Sequence, residues 1–409
     1  MADEEDDDHT ELRNWLSGFW RGDAFDPDKI FTSLASKHRN GLPCIAGKQF
    51  YGSFHMCVRV VFEDGIDWII RVPVPSRILQ RDKHTEREVA ILQFLRERTA
   101  IPVPEIIAYG FGGTEHPKLG PFIISVFIHA ISLKDWWKDP ESEESRLRSG
   151  VDEEIVRKVY RQAANIILEL NSLSFSAIGT LAMTDDEHST WSIKSPPWSI
   201  TLHEAERNHG VQPQAADGPF KKSKDWLSYI FNHHERIIRD IPEDTERQDL
   251  SNLRRLQKLA PRYISDSSHG DFRLYCDDFG AGNMLVDKEF NIVGLGDWEF
   301  TYAAPTEYQC SLASWLILSK PHTWSQEDYD HYSTQLDLFL QILEEEENRR
   351  LGTGLIAEAE ARLSNVIRQG KLDGTFWFVQ CATSGLFFNE LWERFEKFDP
   401  INFHLQAGG

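Results

Sequence analysis

Cysteine is scarce in this sequence, and the few thiols are widely scattered. Five cysteines occur in 409 residues, at positions 44, 57, 276, 310 and 381. Their number is odd and their spacing matches no metal-binding pattern, so neither a disulfide framework nor a structural zinc site is indicated. We expect five free thiols in a reducing compartment, which predicts a cytoplasmic location.

Long apolar runs are absent as well. The longest run, around residues 121–131, contains His129 and is shorter than the roughly 18 residues that a membrane-spanning helix requires. The chain starts Met-Ala-Asp-Glu-Glu-Asp-Asp-Asp, whose charge is opposite to that of a signal or transit peptide. The sequence therefore predicts no membrane partner.

Basic residues are too few to balance the acidic ones. The chain has 44 Lys and Arg against 65 Asp and Glu, which gives a formal net charge of −21. Binding of nucleic acid requires a basic surface, so this balance argues against nucleic acid as the main partner. A cationic substrate would fit the excess, but acidic runs such as 3–8 and 141–144 are equally typical of solvated surface or disordered tail.

Length and apolar content set the scale of the fold. At 409 residues the chain exceeds one ordinary domain, and 41% hydrophobic residues with 13 tryptophans supply material for more than one core. We expect two lobes that share a cleft. Residues 1–40 precede them as an acidic tail and helical leader, with helical patterns at Glu11–Trp20 and Pro27–His38.

Three polar residues that lie close together in the sequence point to chemistry. Asp278 is followed five residues later by Asn283, and Asp297 comes directly after a short apolar hairpin, Met284–Asp287 and Ile292–Leu295. This layout is typical of phosphoryl transfer in the kinase superfamily. There the first Asp orients and deprotonates an acceptor hydroxyl. The Asn and the second Asp supply the hard oxygen ligands that Mg²⁺ prefers.

A second candidate for the catalytic loop lies just upstream, but it lacks an asparagine five residues after its aspartate. His269-Gly270-Asp271 looks like a catalytic loop, but the residue five positions beyond Asp271 is Cys276, which is a poor ligand for Mg²⁺. Only Asp278 has an asparagine at that step. Asp, Asn and Gly also cluster in ordinary turns, which is the alternative interpretation of the whole motif. A hydrolase based on His269 is disfavoured because no serine or cysteine nucleophile motif accompanies it.

The residues around the motif resemble the aminoglycoside phosphotransferase-like family, and most nearly its fungal branch. The likeness is carried by Phe272–Phe279, Gly282–Asp287 and Asp297–Pro305. It implies an α+β, two-lobed protein-kinase-like fold, with a small antiparallel-sheet N-lobe at 41–128 and a large, mostly helical C-lobe at 129–409. It also implies transfer of the γ-phosphate of ATP or GTP to a hydroxyl of a small molecule, with Mg²⁺ as cofactor.

Strand-like segments after residue 47 predict a three-strand meander in the nucleotide-binding lobe. The strands are Lys48–Phe54, His55–Phe62 and Ile66–Val74, with Asp64-Gly65 as a tight turn. The bend at Gly52 and Ser53 would bring backbone N–H groups onto nucleotide phosphates. A single Gly-Ser bend is also typical of an ordinary hairpin.

A cation in the third strand is the predicted partner of the nucleotide. Arg71 would pair with the α- and β-phosphates and with Glu88 on the helix Lys83–Arg98, Glu86 being the alternative carboxylate. Protein kinases have lysine at this point. Arginine keeps the charge, but its planar, bidentate head differs in reach and geometry.

The adenine edge is expected to meet backbone groups after the buried strand Pro121–Phe127. Val126 and Ile128 are the candidates, because this strand would lead into the hinge between the lobes. The family often has Glu where Val126 stands. The preference for ATP over GTP is therefore open.

Three residues depart from the wider pattern. Besides Arg71, Cys276 stands where the family usually has His, and Gly296 replaces the bulky aliphatic residue that normally precedes the metal-binding Asp. None removes a group that touches phosphate, but they could lower activity. They favour an alternative function, a non-catalytic pseudokinase that binds nucleotide or a protein partner.

The remaining sequence is mostly helical by pattern. Ile155–Leu173 has the periodicity of a long buried helix, and Tyr229–Leu259 predicts a helix that leads to the catalytic loop. The segment from 180 to about 224 is polar with few periodic signals. It fits either a disordered insertion or a mobile cap on the substrate side. Beyond Pro305 we expect helix to the end.

The lack of a long activation segment indicates the class of acceptor. Ala304-Pro305-Thr306-Glu307 begins only seven residues after Asp297, whereas a protein kinase needs a long activation segment there. Without that platform a small molecule is the better acceptor. The aromatic and acidic stretch at 376–393 would suit an amine-bearing acceptor, although aromatic stripes on helices more often belong to a core.

Overall fold

The chain forms two compact units, which we describe one at a time. The computed structural model describes residues 27–112, 119–139, 150–184, 190–240, 246–265, 272–353 and 362–398. The first unit comprises residues up to 98 together with 103–129, and the second comprises 99–102 and the residues from 130 onward. The predicted helix Glu11–Trp20, the motif His269–Asp271 and the acidic runs 3–8 and 141–144 lie outside the described residues.

The first unit is built on a five-stranded antiparallel sheet. Its strands follow the spatial order β1-β2-β3-β5-β4. In chain order its elements are α1 (Pro27–Lys37), β1 (Cys44–Tyr51), β2 (His55–Phe62), β3 (Asp67–Pro73), α2 (Arg81–Arg98), β4 (Ile106–Gly110) and β5 (Phe122–Val126). The predicted meander, the helix after it and the buried strand near 121–127 are thereby confirmed, with bounds shifted by a few residues.

Alternation of side chains explains why the central strands form. In β2 the β-branched Val58 and Val60 are fully buried while Arg59 between them is only partly so. This period-two pattern suits a sheet with one face on a core. The turn to β3 uses Gly65 at a φ of 83°, a conformation that glycine adopts without strain. On the core side α1 adds Phe31 and Leu34.

The second unit is mostly helical and carries three small sheets. The sheets have the orders β13-β10-β7, β12-β11-β6 and β8-β9. The strands are β6 (Ile131–Ser132), β7 (Ser174–Phe175), β8 (Thr180–Met183), β9 (Trp191–Ser195), β10 (Phe272–Cys276), β11 (Met284–Val286), β12 (Ile292–Leu295) and β13 (Thr301–Ala304). The α-helices are α3 (Leu133–Trp137), α4 (Glu153–Ser172), α5 (Ile200–His209), α6 (Ser223–Asp240), α7 (Glu246–Tyr263), α8 (Gln326–Gly352), α9 (Leu363–Asp373), α10 (Thr375–Thr383) and α11 (Phe388–Phe398). Short 3₁₀ helices at Thr306–Ser311, Ser314–Leu316, Pro321–Thr323 and Gly385–Phe387 complete it.

The long helix α4 confirms the helix predicted at Ile155–Leu173. Asp152 caps it by accepting a hydrogen bond from the Glu154 N–H at 2.9 Å. Its apolar face includes Val159, Ala163 and Ile167, all fully buried. The antiparallel sheet of the first unit and the helices of the second confirm the α+β class.

Two expectations for the second unit concern Tyr229–Leu259 and the polar segment 180–224. The helix predicted at Tyr229–Leu259 is confirmed for the residues that the structure describes, which belong to α6 and α7. Residues 241–245 lie outside them. The polar segment 180–224 is not a disordered insertion in its described part, because it contains β8, β9 and α5. No helix within the described ranges combines the length and apolar character that crossing a bilayer requires.

Candidate active site

The loop between β10 and β11 holds Asp278 and Asn283 of the sequence motif. It leaves β10 at Cys276, and the Asp277 N–H donates to the Phe300 carbonyl at 3.1 Å, which fixes the start of the loop beside β13. Asn283 ends the loop just before Met284 opens β11. The sequence folds this way because Gly280 and Gly282 permit a tight turn between two apolar strands.

Asn283 joins the loop to the residue that it follows by five positions. Its Nδ2 donates to the backbone carbonyl of Asp278 at 2.9 Å and to Asp278 Oδ2 at 3.0 Å. This orientation turns Oδ1 of Asn283 away from Asp278 as an available oxygen ligand. The Asn283 carbonyl accepts the Gly296 N–H at 3.0 Å, which brings the end of the β11–β12 hairpin back to the loop.

Asp297 lies at this returning end in an unusual backbone conformation. Its φ is 55°, in the left-handed region that Asp and Asn tolerate better than most residues. The Cys276 thiol donates to the Asp297 carbonyl at 3.8 Å, and the neighbouring Trp298 is buried with its Nε1 on the Leu295 carbonyl at 3.1 Å. Cys276, a departure from the family pattern, thus links the two loops.

The Asp297 carboxylate lies within electrostatic reach of Asp278. Burial raises the pKa of Asp278 first, and the neighbouring carboxylate of Asp297 raises it further. The hydrogen bond from Asn283 and the charges of Lys320 and Lys134 act in the opposite direction. Asp278 is therefore a more basic carboxylate than an exposed one, and it has cations within electrostatic reach.

The oxygens of this loop fit a hard divalent cation. Asn283 Oδ1 and the Asp297 carboxylate are oxygen ligands, and Mg²⁺ is usually held by one or two protein side chains with phosphates and waters completing its shell. Among the described residues, the donor set contains no sulfur or nitrogen ligand that would favour another metal. The residues at this site thus fit Mg²⁺.

Asp277 lies next to Asp278 but is engaged differently. Its Oδ2 accepts the Ile200 N–H at 2.9 Å and its Oδ1 accepts the Tyr302 hydroxyl at 3.0 Å. Burial, together with the negative charges of Asp278 and Glu204, raises the pKa of Asp277 to about 7. Both oxygens serve contacts inside the protein.

A cavity is formed among helices of the second unit. Its volume is about 320 Å³, and its walls come from α5, α6, α7 and the segment 385–389. Its polar lining groups are Glu204, Asn208, His209, Asp249 and Asn389. Burial raises the pKa of Glu204, Lys320 and Arg207 lower it, and Asp278 raises it, so Glu204 is within electrostatic reach of the motif aspartate.

The aromatic stretch near the C-terminus divides between core and cavity. Phe376, Trp377, Phe378 and Trp392 are buried, which confirms the core interpretation for them. Phe387 and Phe388 instead line the cavity, and Phe387 is 38% exposed. The His322 ring stacks on Phe387 with centroids 4.0 Å apart and planes 4° from parallel.

In the first unit, Arg71 and Glu88 are paired. Arg71 Nε lies 3.2 Å from Glu88 Oε1, and the Glu88 side chain is almost fully buried. His55 Nε2 lies 3.9 Å from the other carboxylate oxygen. Burial lowers the pKa of His84, one helical turn before Glu88, to about 4 and leaves that imidazole uncharged at neutral pH. The alternative carboxylate, Glu86, is exposed.

The predicted phosphate loop is a tight hairpin bend. The Gly52 N–H donates to the His55 carbonyl at 2.9 Å, so this N–H already serves the hairpin. Arg77 Nη1 binds the carbonyls of Gly52 and Ser53 at 2.8 and 3.2 Å. Of the two predicted residues, Ser53 is therefore the better N–H donor for a ligand.

The predicted adenine-binding backbone is partly engaged too. The Val126 N–H donates to the Glu105 carbonyl at 3.0 Å, and the Phe127 N–H donates to the Asp67 carbonyl at 3.1 Å. Ile128 is consequently the better backbone donor of the predicted pair.

Sequence reasoning missed Asp277, Glu204, Lys134 and Lys320. Asp277 was visible only as a neighbour of the motif, since its partner Ile200 is 77 positions away. Glu204 lies in the polar segment that shows no clear period. Lys134 and Lys320 act by charge, and a single lysine in a sequence carries no spacing signal.

Comparison with known proteins gives a family match. The sequence profile described as "Phosphotransferase enzyme family" matches residues 57–317, more than half of the chain. A curated relative from Candida albicans, "Altered inheritance of mitochondria protein 9, mitochondrial", is 30% identical over 290 residues, 58% of this chain and 44% of that protein. "Clavilactone A biosynthesis cluster protein Y" from Ampulloclitocybe clavipes is 26% identical over 273 residues, 64% of this chain and 62% of that protein. The match thus spans about half the length of these relatives.

Solved structures with similar architecture include small-molecule phosphotransferases. An amicoumacin kinase in complex with AMP-PNP and Ca²⁺ is 10% identical, with a TM-score of 0.49, covering 97% of this chain and 99% of that one. An aminoglycoside 2′-phosphotransferase in complex with GDP is 12% identical, with a TM-score of 0.48, covering 92% and 99%. Because the profile match covers more than half of the chain, the chain belongs to the phosphotransferase enzyme family, and the resemblance to aminoglycoside phosphotransferases that its motifs predicted is confirmed.

Proposed function

We propose that this protein is a Mg²⁺-dependent kinase that transfers the γ-phosphate of ATP or GTP to a hydroxyl group of a small molecule. The observation that carries the proposal is the arrangement of Asp278, Asn283 and Asp297. The amide of Asn283 donates to Asp278 at 3.0 Å, and the charge of Asp297 raises the pKa of Asp278. These are the groups that phosphoryl transfer requires, and they are contributed by one loop and the hairpin after it.

Asp278 is the proposed catalytic base. In the reaction the acceptor oxygen bonds to the γ-phosphorus, the bond from that phosphorus to the bridging oxygen breaks, and the hydroxyl proton passes to the Asp278 carboxylate. The raised pKa of Asp278 suits this last step, because a more basic carboxylate holds the proton better. The transition state is loose, so positioning and charge neutralisation should supply most of the acceleration.

Asn283 and Asp297 are the proposed ligands of Mg²⁺. A bound Mg²⁺ would neutralise charge on the nucleotide phosphates. In the first unit, Arg71 is proposed to bind the α- and β-phosphates while Glu88 orients its side chain, with Gly52 and Ser53 near the phosphates. Val126 and Ile128 are proposed to meet the base.

An amine-bearing alcohol is the proposed acceptor class. The cavity combines the carboxylates of Glu204 and Asp249 with the exposed ring of Phe387, and Glu204 is within electrostatic reach of Asp278. Carboxylates pair with ammonium groups, and an aromatic face adds a cation–π contact. The family profile supports a small-molecule substrate, and the net charge of −21 gives no support to nucleic acid as a partner.

The proposal is tested by measuring phosphate transfer from Mg·ATP to a panel that includes ethanolamine, choline, streptomycin and glycerol. Asp278→Ala should lower turnover about 10²- to 10⁴-fold, as expected for loss of a general base, while nucleotide binding persists. Removal of Mg²⁺ with EDTA should abolish transfer. The control is Glu289→Ala, which removes an exposed carboxylate from the turn of the same hairpin. Equal turnover in Asp278→Ala and wild type would refute the mechanism. Nucleotide binding without any transfer would favour the pseudokinase.

The cytoplasm is the proposed compartment, on the grounds of the reduced cysteines. All five cysteines are free thiols in the structure. The Candida albicans relative is named as a mitochondrial protein, which makes the mitochondrion the competing location. Fractionation of cells that express the tagged chain separates the two.

A further inference from the structure

The carboxyl group of Asp277 takes no part in the proposed chemistry, yet both of its oxygens are occupied. Oδ2 accepts the backbone N–H of Ile200 at 2.9 Å, and Oδ1 accepts the hydroxyl of Tyr302 at 3.0 Å. Tyr302 is fully buried in β13, the strand that pairs with β10. The side chain therefore ties the catalytic loop to a rigid strand on one side and to Ile200, 77 positions earlier, on the other.

Ile200 is the first residue of α5, so the contact falls on a helix end. Ser199 caps the same end and accepts the Leu202 N–H at 3.3 Å. The first N–H groups of a helix have no partner inside it, and a negative group there is also stabilised by the helix dipole. Asp277 supplies this group from a distant part of the chain, which makes it a tertiary anchor for α5.

The helix that Asp277 anchors forms one wall of the cavity. Glu204, Asn208 and His209 of α5 all line it. Asp278 contributes to the raised pKa of Glu204, and Glu204 contributes to the raised pKa of Asp277. Glu204 is therefore within electrostatic reach of both aspartates. Asp277, which is next to the proposed base Asp278, thus holds α5, and α5 carries Glu204 in the lining of the cavity.

We propose that Asp277 is a positioning residue that fixes α5, and with it Glu204, relative to Asp278, and so sets the affinity for the acceptor. The part that concerns the acceptor rests on the proposed function. The part that concerns α5 does not. Asp277 touches neither the reacting atoms nor nucleotide in this scheme, so its loss should change acceptor binding far more than nucleotide binding.

The experiment compares Asp277→Ala with wild type by two measurements. Amide hydrogen exchange of the first turn of α5 should accelerate at least about tenfold, because the Ile200 N–H loses its acceptor and the helix end loses an anchoring charge. With the amine-bearing member of the panel that wild type phosphorylates best, the acceptor KM should rise about tenfold. The turnover number and the nucleotide KM should stay within about twofold of wild type, a split that general misfolding would not produce.

Two variants and one control sharpen the comparison. Asp277→Asn keeps one acceptor oxygen and should give an intermediate change. Tyr302→Phe removes only the hydroxyl contact and should leave exchange in α5 close to wild type. Asp152→Asn alters the capping carboxylate of a different helix, α4, and should leave α5 and the acceptor KM unchanged.

The outcomes separate this inference from the proposed function. Unchanged exchange of α5 in Asp277→Ala would overturn the anchor, even if Asp277→Ala fails other assays. A parallel fall of turnover and nucleotide affinity would overturn the role in acceptor binding. If wild type transfers phosphate to no member of the panel, the proposed function fails, and the exchange data alone decide whether Asp277 holds α5.

Discussion

Neighbouring carboxyl groups in this protein do different work because their surroundings differ. Asp277 accepts two hydrogen bonds from the protein, and burial raises its pKa to about 7. Asp278, the next residue, accepts one from Asn283 and has Lys134 and Lys320 within electrostatic reach. For two aspartates that look equivalent in the sequence, the proposed roles therefore differ: Asp277 holds the structure and Asp278 takes part in the chemistry.

Asp277 should make stability fall as pH rises. Its folded pKa, about 7, lies above the ordinary value of 3.8, so the folded state binds the proton more tightly between these values. The stability associated with the protonated group is complete below pH about 4 and is lost as pH rises through about 7, at up to ~1.4 kcal/mol per pH unit. The side chain of Asp277→Asn does not titrate, so the variant should not show this loss of stability. Urea unfolding at pH 5 and pH 8 should show wild type losing more stability than the variant, and parallel behaviour would contradict the assignment.

Glu204 should discriminate among acceptors. Glu204→Gln keeps the shape of the side chain and removes its charge from the cavity, within electrostatic reach of Asp278. For an amine-bearing acceptor we expect the KM to rise about tenfold, which corresponds to ~1.4 kcal/mol, whereas a neutral polyol such as glycerol should be unaffected. Steady-state kinetics with both acceptor types provides the check. Glu235→Gln, a surface carboxylate of α6 paired with Arg239, is the control.

At the scale of elements, short segments from distant parts of the chain meet at the cavity. The helix α5 contributes one wall, and the 3₁₀ turn Gly385–Phe387 with the start of α11 contributes another. The turn lies tightly against α6. A Cβ atom on Gly385 would come within 2.4 Å of His234 Cδ2, and His234 is fully buried.

Gly385→Ala should therefore destabilise the second unit. Overpacking of this kind costs about 1–3 kcal/mol, because neither the buried imidazole nor the turn can move freely. The matched control is Gly296→Ala, where an added Cβ meets no atom within 4 Å and the backbone has no positive φ. That change should be neutral or stabilise by about 0.4–1 kcal/mol. Chemical denaturation of both variants measures the contrast, and equal losses would show that the fit at Gly385 is unimportant.

Elements with local signals could be predicted, and those set by distant contacts could not. The β11–β12 hairpin and the pairing of Arg71 with Glu88 follow from alternation and helical spacing over short stretches, and the structure contains both. Glu204 could not be found this way, since α5 has ten residues and is placed by burial against other elements.

At the scale of the molecule, charge is the dominant property. The chain carries a formal charge of −21 spread over 409 residues, and like charges in a compact structure repel one another. The first unit has its own apolar cluster, which includes Val58, Ile70 and Phe122. Repulsion between the excess carboxylates therefore acts mainly at the surface, where its strength depends on the solvent.

Salt should stabilise the whole protein. Raising NaCl from about 10 to 300 mM shortens the screening length to well below 10 Å, so repulsion between surface carboxylates falls. We expect the thermal midpoint to rise by a few degrees over this range, as measured by differential scanning calorimetry. KCl at the same ionic strength should act equally, because screening does not depend on the identity of the monovalent cation. A midpoint that falls with salt would mean that attractive ion pairs outweigh the repulsion.

The split origin of the cavity has a consequence for how selectivity can be altered. The residues 385–389 lie about a hundred positions downstream of the loop that carries Asp278, and they contribute to the cavity without contributing to that loop. A library that varies Leu386, Phe387 and Asn389 can therefore reshape what enters the cavity while the proposed catalytic loop stays unchanged. Attempts to change what the cavity binds should begin at that five-residue stretch.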